Sequence, residues 1–250
     1  MIDILLPAFI LSLILLGIHS WFGLEIIKRG IIFTDLAIGQ MSAVGAGISI
    51  LFLDGEYMYP VSLAFALSGG LLIAYASKKV NHLEAFIGLL YAAGFSAVFL
   101  ILSKTPHGME KFQELMASDI LFNPIQLMLK VGALYAVLGG IIYIFNKKTS
   151  GFLREVLFFV TFSVTVTSSV KLAGVLVVFS LLVAPAYIAM RIAGKKTIWI
   201  AWFIGTVINL AAIVVSYNSD LPTGYTLVFF HAVSACMVAL VHPAKIKENI

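Results

Sequence analysis

The sequence predicts an all-α, polytopic membrane protein, and three observations lead to this fold class. Of the 250 residues, 61% are hydrophobic and only 11% are charged, whereas a soluble domain carries about 25% charged residues. The apolar runs recur at roughly the 20 residues that a helix needs to cross a bilayer. Lysine and arginine concentrate in every second connection between those runs, a pattern that reflects membrane topology.

The apolar runs predict nine transmembrane helices, with eight as the alternative. The predicted spans are residues 4–26, 32–53, 58–77, 84–103, 124–146, 154–169, 172–190, 197–217 and 223–241. The sixth and seventh share one apolar run, which is interrupted by Thr165, Thr167, Ser168, Ser169 and Lys171. Since the connections are short, residues 1–250 are predicted to form a single transmembrane domain.

The charged residues of the connections predict the orientation. Cations follow the first, third, fifth, seventh and ninth spans: Lys28 and Arg29; Lys78 and Lys79; Lys147, Lys148 and Arg154; Arg191, Lys195 and Lys196; Lys245 and Lys247. Because cytoplasmic connections carry the excess of lysine and arginine, we expect the N-terminus outside and the C-terminus in the cytoplasm. Losing one central span would place basic connections on both sides, which favours nine spans over eight.

The longest outer connection covers residues 104–123, and its residues 109–121 are amphipathic. A helix with one apolar face and one charged face lies in the membrane interface. The sequence therefore predicts a short interfacial helix at this position.

The second span contains the main candidate functional residue. Asp35 lies in its first turns, and an ionisable side chain inside a span marks a functional site by default. Gly39, Ala43 and Gly47 follow at steps of four residues and allow close helix packing, while Ser42 lies at nearly the same angle. Asp35 is thus predicted to face protein, either as an acceptor that fixes helix packing or as part of a transport path.

Three further residues in or near the spans each allow two interpretations. Pro185 kinks the seventh span, as part of a transport site or as a packing device. Asp220 is an outer vestibule acid or a turn residue, and His231 is a metal ligand or a neutral imidazole bonded to a neighbouring helix. Gln40 points away from Asp35 and is expected at a second helix interface. His19 is expected to be solvated or interfacial.

Several catalytic motifs are missing from the sequence. It contains no G-x-x-x-x-G-K-[ST] phosphate loop, no H-E-x-x-H motif and no cysteine pair, since Cys236 is the single cysteine. ATP binding through such a loop, and zinc sites of the usual spacing, are therefore not expected. An intramembrane enzyme is poorly supported.

Three segments resemble the metal-type ABC permease family, the membrane subunits of zinc, manganese and iron uptake systems. Residues 29–45, RGIIFTDLAIGQMSAVG, resemble its second-span signature. Residues 170–186, VKLAGVLVVFSLLVAPA, resemble its second strong signature, and residues 220–224, DLPTG, resemble the turn before its last helix. The three segments occur in the family's order and extend over nearly the whole chain.

This resemblance implies an importer for a divalent transition metal of the zinc, manganese or iron class, located in the cell membrane. Two permease copies would form a homodimer with the path between them. Separate ATP-binding subunits at the cytoplasmic face would hydrolyse ATP, and an extracytoplasmic metal-binding protein would deliver the ion. The chain itself would then be a transport subunit rather than an enzyme, with no bound cofactor and the metal as its substrate.

The resemblance also implies roles for residues in and around the spans. Asp35 matches the acid on the metal path, and Asp220 and His231 are further metal candidates. The candidates for lining the translocation path or packing the helices are Gly39, Gln40, Ser42 and Pro185. Many members have a histidine four residues after the acid, where this chain has Gly39, so a nitrogen ligand suited to zinc is missing.

The cytoplasmic segment that couples to the ATPase in this family is shortened here to residues 146–155. Its charged residues are the coupling candidates: Lys147, Lys148, Arg154 and Glu155. Residues 79–88 are the alternative coupling element.

Two other functions stay open on the residues alone. A stand-alone secondary metal or proton transporter, or a channel, would use Asp35 and His231 to relay protons. A membrane scaffold would transport nothing. A gene neighbourhood with an ATPase and a binding protein distinguishes the importer from the stand-alone transporter.

Overall fold

The computed structural model describes residues 2–117, 120, 123–192 and 196–241, without the side chains of residues 2–4 and 145–147. The described helices are α1 Ile2–Arg29, α2 Thr34–Phe52, α3 Met58–Ala76, α4 Leu83–Leu102, α5 Gly108–Met116, α6 Ile125–Lys148, α7 Gly151–Ala173, α8 Val175–Ile192, α9 Thr197–Asn218 and α10 Thr223–Val241. Within the described residues, nine helices are long and apolar enough to cross a membrane. The all-α, nine-span prediction is confirmed, and the orientation of the termini stays a prediction.

Gly174 alone separates α7 from α8, so the shared apolar run is two helices. The polar stretch that was expected to end the sixth span remains helical. Its hydroxyl groups donate to carbonyls one turn earlier, as Thr165 does to Thr161 and Ser169 to Thr165, which satisfies them inside the helix. The chain turns instead at Gly174, whose φ of +83° suits glycine.

Helices α2 and α7 form the centre of the bundle. In each of them 72% of the apolar window is buried, against 22% in α4, α6 and α10. Neighbouring helices approach α2 closely at glycine residues. At Gly45 there is no room for a side chain, because an added Cβ atom would lie 2.7 Å from the Ser62 Cα atom of α3. A Cβ atom added to Gly94 of α4 would likewise lie 2.9 Å from the Gln40 Cβ atom. The second span is therefore surrounded by protein.

One expectation about a polar residue was wrong. His19 is fully buried, with Nδ1 2.7 Å from the Leu15 carbonyl and Nε2 3.1 Å from the Ser169 hydroxyl. Because α1 continues to Arg29, His19 lies deeper in the span than its sequence position suggested.

The short helix that the sequence predicts before the fifth span is α5, and its position in the membrane interface stays a prediction. Helix α5 ends at Met116, which is buried, and the backbone of Ala117 lies against Gly174. Asn123 Nδ2 donates to the Leu172 carbonyl at 3.0 Å. This connection therefore supplies a donor to one of the last carbonyls of α7, which hydrocarbon could not provide.

We expect Gly23→Ala to destabilise the protein, because the new Cβ atom would overlap the Leu182 carbonyl of α8. Overpacking of this kind costs about 1–3 kcal/mol. Gly17→Ala on the same helix is the control, since its Cβ atom would meet nothing within 4 Å. Thermal unfolding in detergent measures both variants. Equal midpoints for the two variants would contradict the close α1–α8 contact.

Candidate functional site

Asp35 is a buried acid without a hydrogen-bond partner. It lies in the first turn of α2, its side chain is 1% exposed, and neither carboxylate oxygen has a partner among the described residues. The helix N-terminus favours a negative charge at this position, but an unpaired buried polar group still costs free energy. Such a group is a candidate for binding a substrate cation.

The face of α2 that carries Asp35 points toward α7 and α8. A Cβ atom on Gly39, one turn after Asp35, would lie 3.0 Å from Val175 Cγ1 and 3.8 Å from Val166 Cγ1. Val175 at the start of α8 and Val166 inside α7 therefore pack against Gly39. This apolar contact lies one helical turn from the acid.

A cavity of about 210 Å³ lies further along α2, between α2, α3, α5 and α7. Ser42, Ser62 and Thr167 are buried at its floor. The charged and aromatic side chains that line it are Lys111, Glu114, Lys171 and Tyr59. Ser42 and Asp35 are seven residues apart on one helix face, which is about 10 Å along the axis. The cavity, the two valines and Asp35 thus follow one another along α2.

Gln40 belongs to a different interface, as its angle on the helix predicts. Its side chain is buried, its Nε2 atom lies 3.6 Å from Met116 Sδ, and its Oε1 atom has no described partner. Pro185 is buried inside α8, which continues to Ile192. The proline therefore does not end the helix.

The three metal candidates do not meet in one site. Among the described residues, no group of three His, Cys, Asp or Glu side chains could hold a metal ion. Asp220 is exposed at the turn between α9 and α10, with φ at +51°. His231 is fully buried, and its Nε2 atom lies 2.8 Å from Asn209 Oδ1. The role of each residue in metal binding stays a prediction.

The predicted coupling segment is a tight turn. Thr149 and Ser150 alone connect α6 to α7. Lys148 and Arg154 are exposed, whereas the Glu155 carboxylate pairs with Arg29 Nη1 at 2.7 Å. The side chain of Lys147 lies outside the described part of the chain.

Sequence reasoning missed the contact between Glu84 and the start of α2. The Phe33 backbone N–H donates to Glu84 Oε1 at 3.1 Å, and the two residues are 51 positions apart in the chain. Phe33 is the N-cap of α2 and its own side chain forms no capping bond. Glu84 therefore caps the helix that carries Asp35. An acid at the start of a span was visible in the sequence, but its partner was not.

Residues 149–242 match the model of the ABC 3 transport family. The comparison with curated proteins finds no match. The fold is similar to that of a chain in PsaBC from Streptococcus pneumoniae in complex with Fab, with a TM-score of 0.77 and 17% identity over 95% of this chain and 91% of that one.

A second similar structure is an inward-facing conformation of a protein assigned to the metal-chelate type of ABC transporter. Its TM-score is 0.69 with 16% identity, over 94% of this chain and 85% of that one. At these identities, the two solved structures establish the fold.

We expect Glu84→Ala to loosen the first turn of α2, because the Phe33 N–H loses its acceptor. Losing a cap costs about 1 kcal/mol, which corresponds to roughly fivefold faster amide exchange. Hydrogen–deuterium exchange of the α2 amides measures this effect. Glu84→Gln keeps a side-chain oxygen and is the matched control. Unchanged exchange in the alanine variant would refute the capping role.

Proposed function

We propose, on the premise that this chain belongs to the ABC 3 transport family, that it is the permease subunit of an ATP-driven importer for a divalent transition metal. The substrate belongs to the zinc, manganese or iron class. The nine apolar helices make the chain a multi-pass protein of the cell membrane. The observation that supports transport most directly is Asp35, a buried acid without a hydrogen-bond partner among the described residues.

In this proposal, the ion moves along the face of α2. It enters the cavity, passes the constriction of Val166 and Val175, and reaches Asp35. A carboxylate suits this position because a hard cation exchanges its water shell for oxygen ligands. Passage requires that α7 and α8 move away from Gly39, so the described conformation is closed at this point.

The cavity, and not the turn at Asp220, serves as the outer vestibule in this scheme. Asp220 is on the α9–α10 turn, whereas α2, α3, α5 and α7 supply the cavity walls. In this scheme Asp220 is only a secondary candidate for binding the metal.

The ligand count is compatible with a homodimer, which is part of our proposal. Within the described residues, one chain offers Asp35 no second carboxylate, histidine or cysteine that completes a group of three. The remaining ligands must then come from a second copy, from the transported ion's water, or from both. A path between two permease copies would bring two Asp35 side chains to one ion.

In our proposal, ATP is hydrolysed by other subunits and not by this chain. Separate ATP-binding subunits dock at the cytoplasmic face, where Lys148 and Arg154 are exposed, and an extracytoplasmic protein delivers the metal. The sequence has no phosphate loop that would bind ATP here. A stand-alone transporter that relays protons through His231 is less well supported, because this imidazole is bonded to Asn209.

We expect Asp35→Asn to abolish metal uptake while membrane abundance stays unchanged. Asparagine keeps the size of the side chain but removes the negative charge that attracts the cation. Asp54→Asn at the outer end of the same helix is the control. Asp54 is exposed with φ at +49°, and asparagine tolerates this conformation. Cellular accumulation of all first-row metals, measured together, tests the prediction. Full uptake by Asp35→Asn would remove Asp35 from the path.

We expect the double variant Lys148→Glu, Arg154→Glu to lose its ATP-binding subunits, because reversed charges repel the surface that these cations contact. Co-purification from cells that express the neighbouring genes measures the loss. The control is Lys104→Glu, an exposed cation in the α4–α5 connection. Stable co-purification of the double variant with full metal-dependent ATP hydrolysis would exclude this coupling site.

A further inference from the structure

Helices α1 and α6 leave an open space between them, which we call the α1–α6 groove. Its volume is about 720 Å³, and Gly17 of α1, Gly132 and Gly139 of α6 and Trp202 of α9 are among the residues that line it. A Cβ atom on Gly17 or Gly139 would meet nothing within 4 Å. Glycine in a span usually lets two helices approach each other closely. These two glycines face open space instead, so the groove has room for a ligand.

The aromatic residues of the α1–α6 groove have their polar atoms bonded within the protein. The Tyr135 hydroxyl bonds to the Ser169 hydroxyl of α7. Trp202 Nε1 donates to the Gly17 carbonyl at 3.0 Å. Both rings therefore offer apolar surface to whatever occupies the groove. A hydrocarbon chain suits such a surface, because it leaves these hydrogen bonds intact.

The length of the groove matches one leaflet of a bilayer. Its lining residues on α6 run from Gly132 to Tyr143, which is about 16 Å along the helix axis. The hydrocarbon core of a bilayer is about 30 Å thick, so one leaflet is about 15 Å. A spanning helix from a second copy would need a groove through both leaflets. The acyl chain of one lipid needs only this length.

A smaller cavity continues the groove toward the basic end of the bundle. The two cavities share Trp21 and Ile142, and the smaller one is also lined by Glu25, Arg29 and Arg154. The three α1 residues of this cavity repeat at steps of four and lie along one face of the helix. The apolar groove therefore leads to charged side chains at the end that is predicted to face the cytoplasm.

The charge that is left at this end is positive. Glu155 pairs with Arg29 at 2.7 Å, and Glu25 pairs with Lys28 at 3.4 Å. Arg154 is exposed and forms no ion pair with a carboxylate among the described residues. A guanidinium group binds a phosphate with two parallel hydrogen bonds, and basic pockets between helices on the cytoplasmic side bind anionic lipid headgroups.

We propose that the α1–α6 groove binds an anionic phospholipid of the cytoplasmic leaflet. One acyl chain lies in the groove between α1 and α6. The phosphate accepts hydrogen bonds from Arg154, and Trp21 lies between the two parts of the lipid. The site is separate from the proposed metal path along α2. Arg154 is also a proposed contact of the ATP-binding subunits, so the test uses the full chain without them.

Native mass spectrometry of the purified chain tests the headgroup contact. The probes are phosphatidylglycerol and phosphatidylcholine with the same acyl chains, titrated in detergent. We expect one phosphatidylglycerol to bind about tenfold more tightly than phosphatidylcholine, the scale of one hydrogen bond to a charged group. Arg154→Gln should remove this preference and leave the phosphatidylcholine affinity unchanged. Lys104→Gln, an exposed cation in the α4–α5 connection, is the control and should keep the preference.

The same measurement tests the acyl-chain contact with two neighbouring glycines. Gly139→Leu places a side chain in the groove and should prevent retention of either lipid. Gly140→Leu is the matched control: a Cβ atom there also meets nothing within 4 Å, but Gly140 is exposed and does not line the groove. This variant should bind both lipids as the natural sequence does.

Three outcomes would overturn the proposal. The first is equal retention of the two lipids by the natural sequence, or retention of neither. The second is unchanged lipid binding in Gly139→Leu. The third is a dimer mass that Gly139→Leu converts to a monomer, which would show that a second copy covers the groove. The proposal for metal transport depends on Asp35, and none of these outcomes affects it.

Discussion

The close packing of α2 is the constraint on which the rest of the structure depends. Gly45 meets α3, Gly94 of α4 meets Gln40, and Gly39 meets the valines of α7 and α8. Without side chains at these contacts, four helices approach α2 and exclude lipid from it. Only in this setting can Asp35 stay inside the membrane without a hydrogen-bond partner, because its surroundings are protein and not acyl chains.

The same packing creates an order along α2 on which the proposed function depends. A cavity, two valines and an acid follow one another within a few helical turns. Each has a different chemistry: the cavity is lined by both polar and apolar residues, the valines are apolar, and the acid is a carboxylate. In the proposed function, such a path is closed until the packed helices separate.

The N-terminal end of α2 is held by contacts from other helices. Glu84 caps the helix from α4, and the nearby Arg29 pairs with Glu155 of α7. Contacts from two helices thus meet within a few residues of Asp35. The Arg29–Glu155 ion pair links the first turns of α7 to the short connection between α1 and α2, a few residues before Asp35.

The sequence by itself determined the fold class and the nine spans, because hydropathy is a property of local composition. It also determined that Asp35 faces protein, since the small residues beside it repeat with the helical period. Only the tertiary structure decided that Gly174 is the turn between α7 and α8 and that His19 is buried. The cap of α2 by Glu84 and the two lysines at one cavity also emerged only there. These features join residues far apart in the chain, and no local pattern specifies which distant helix will supply the partner.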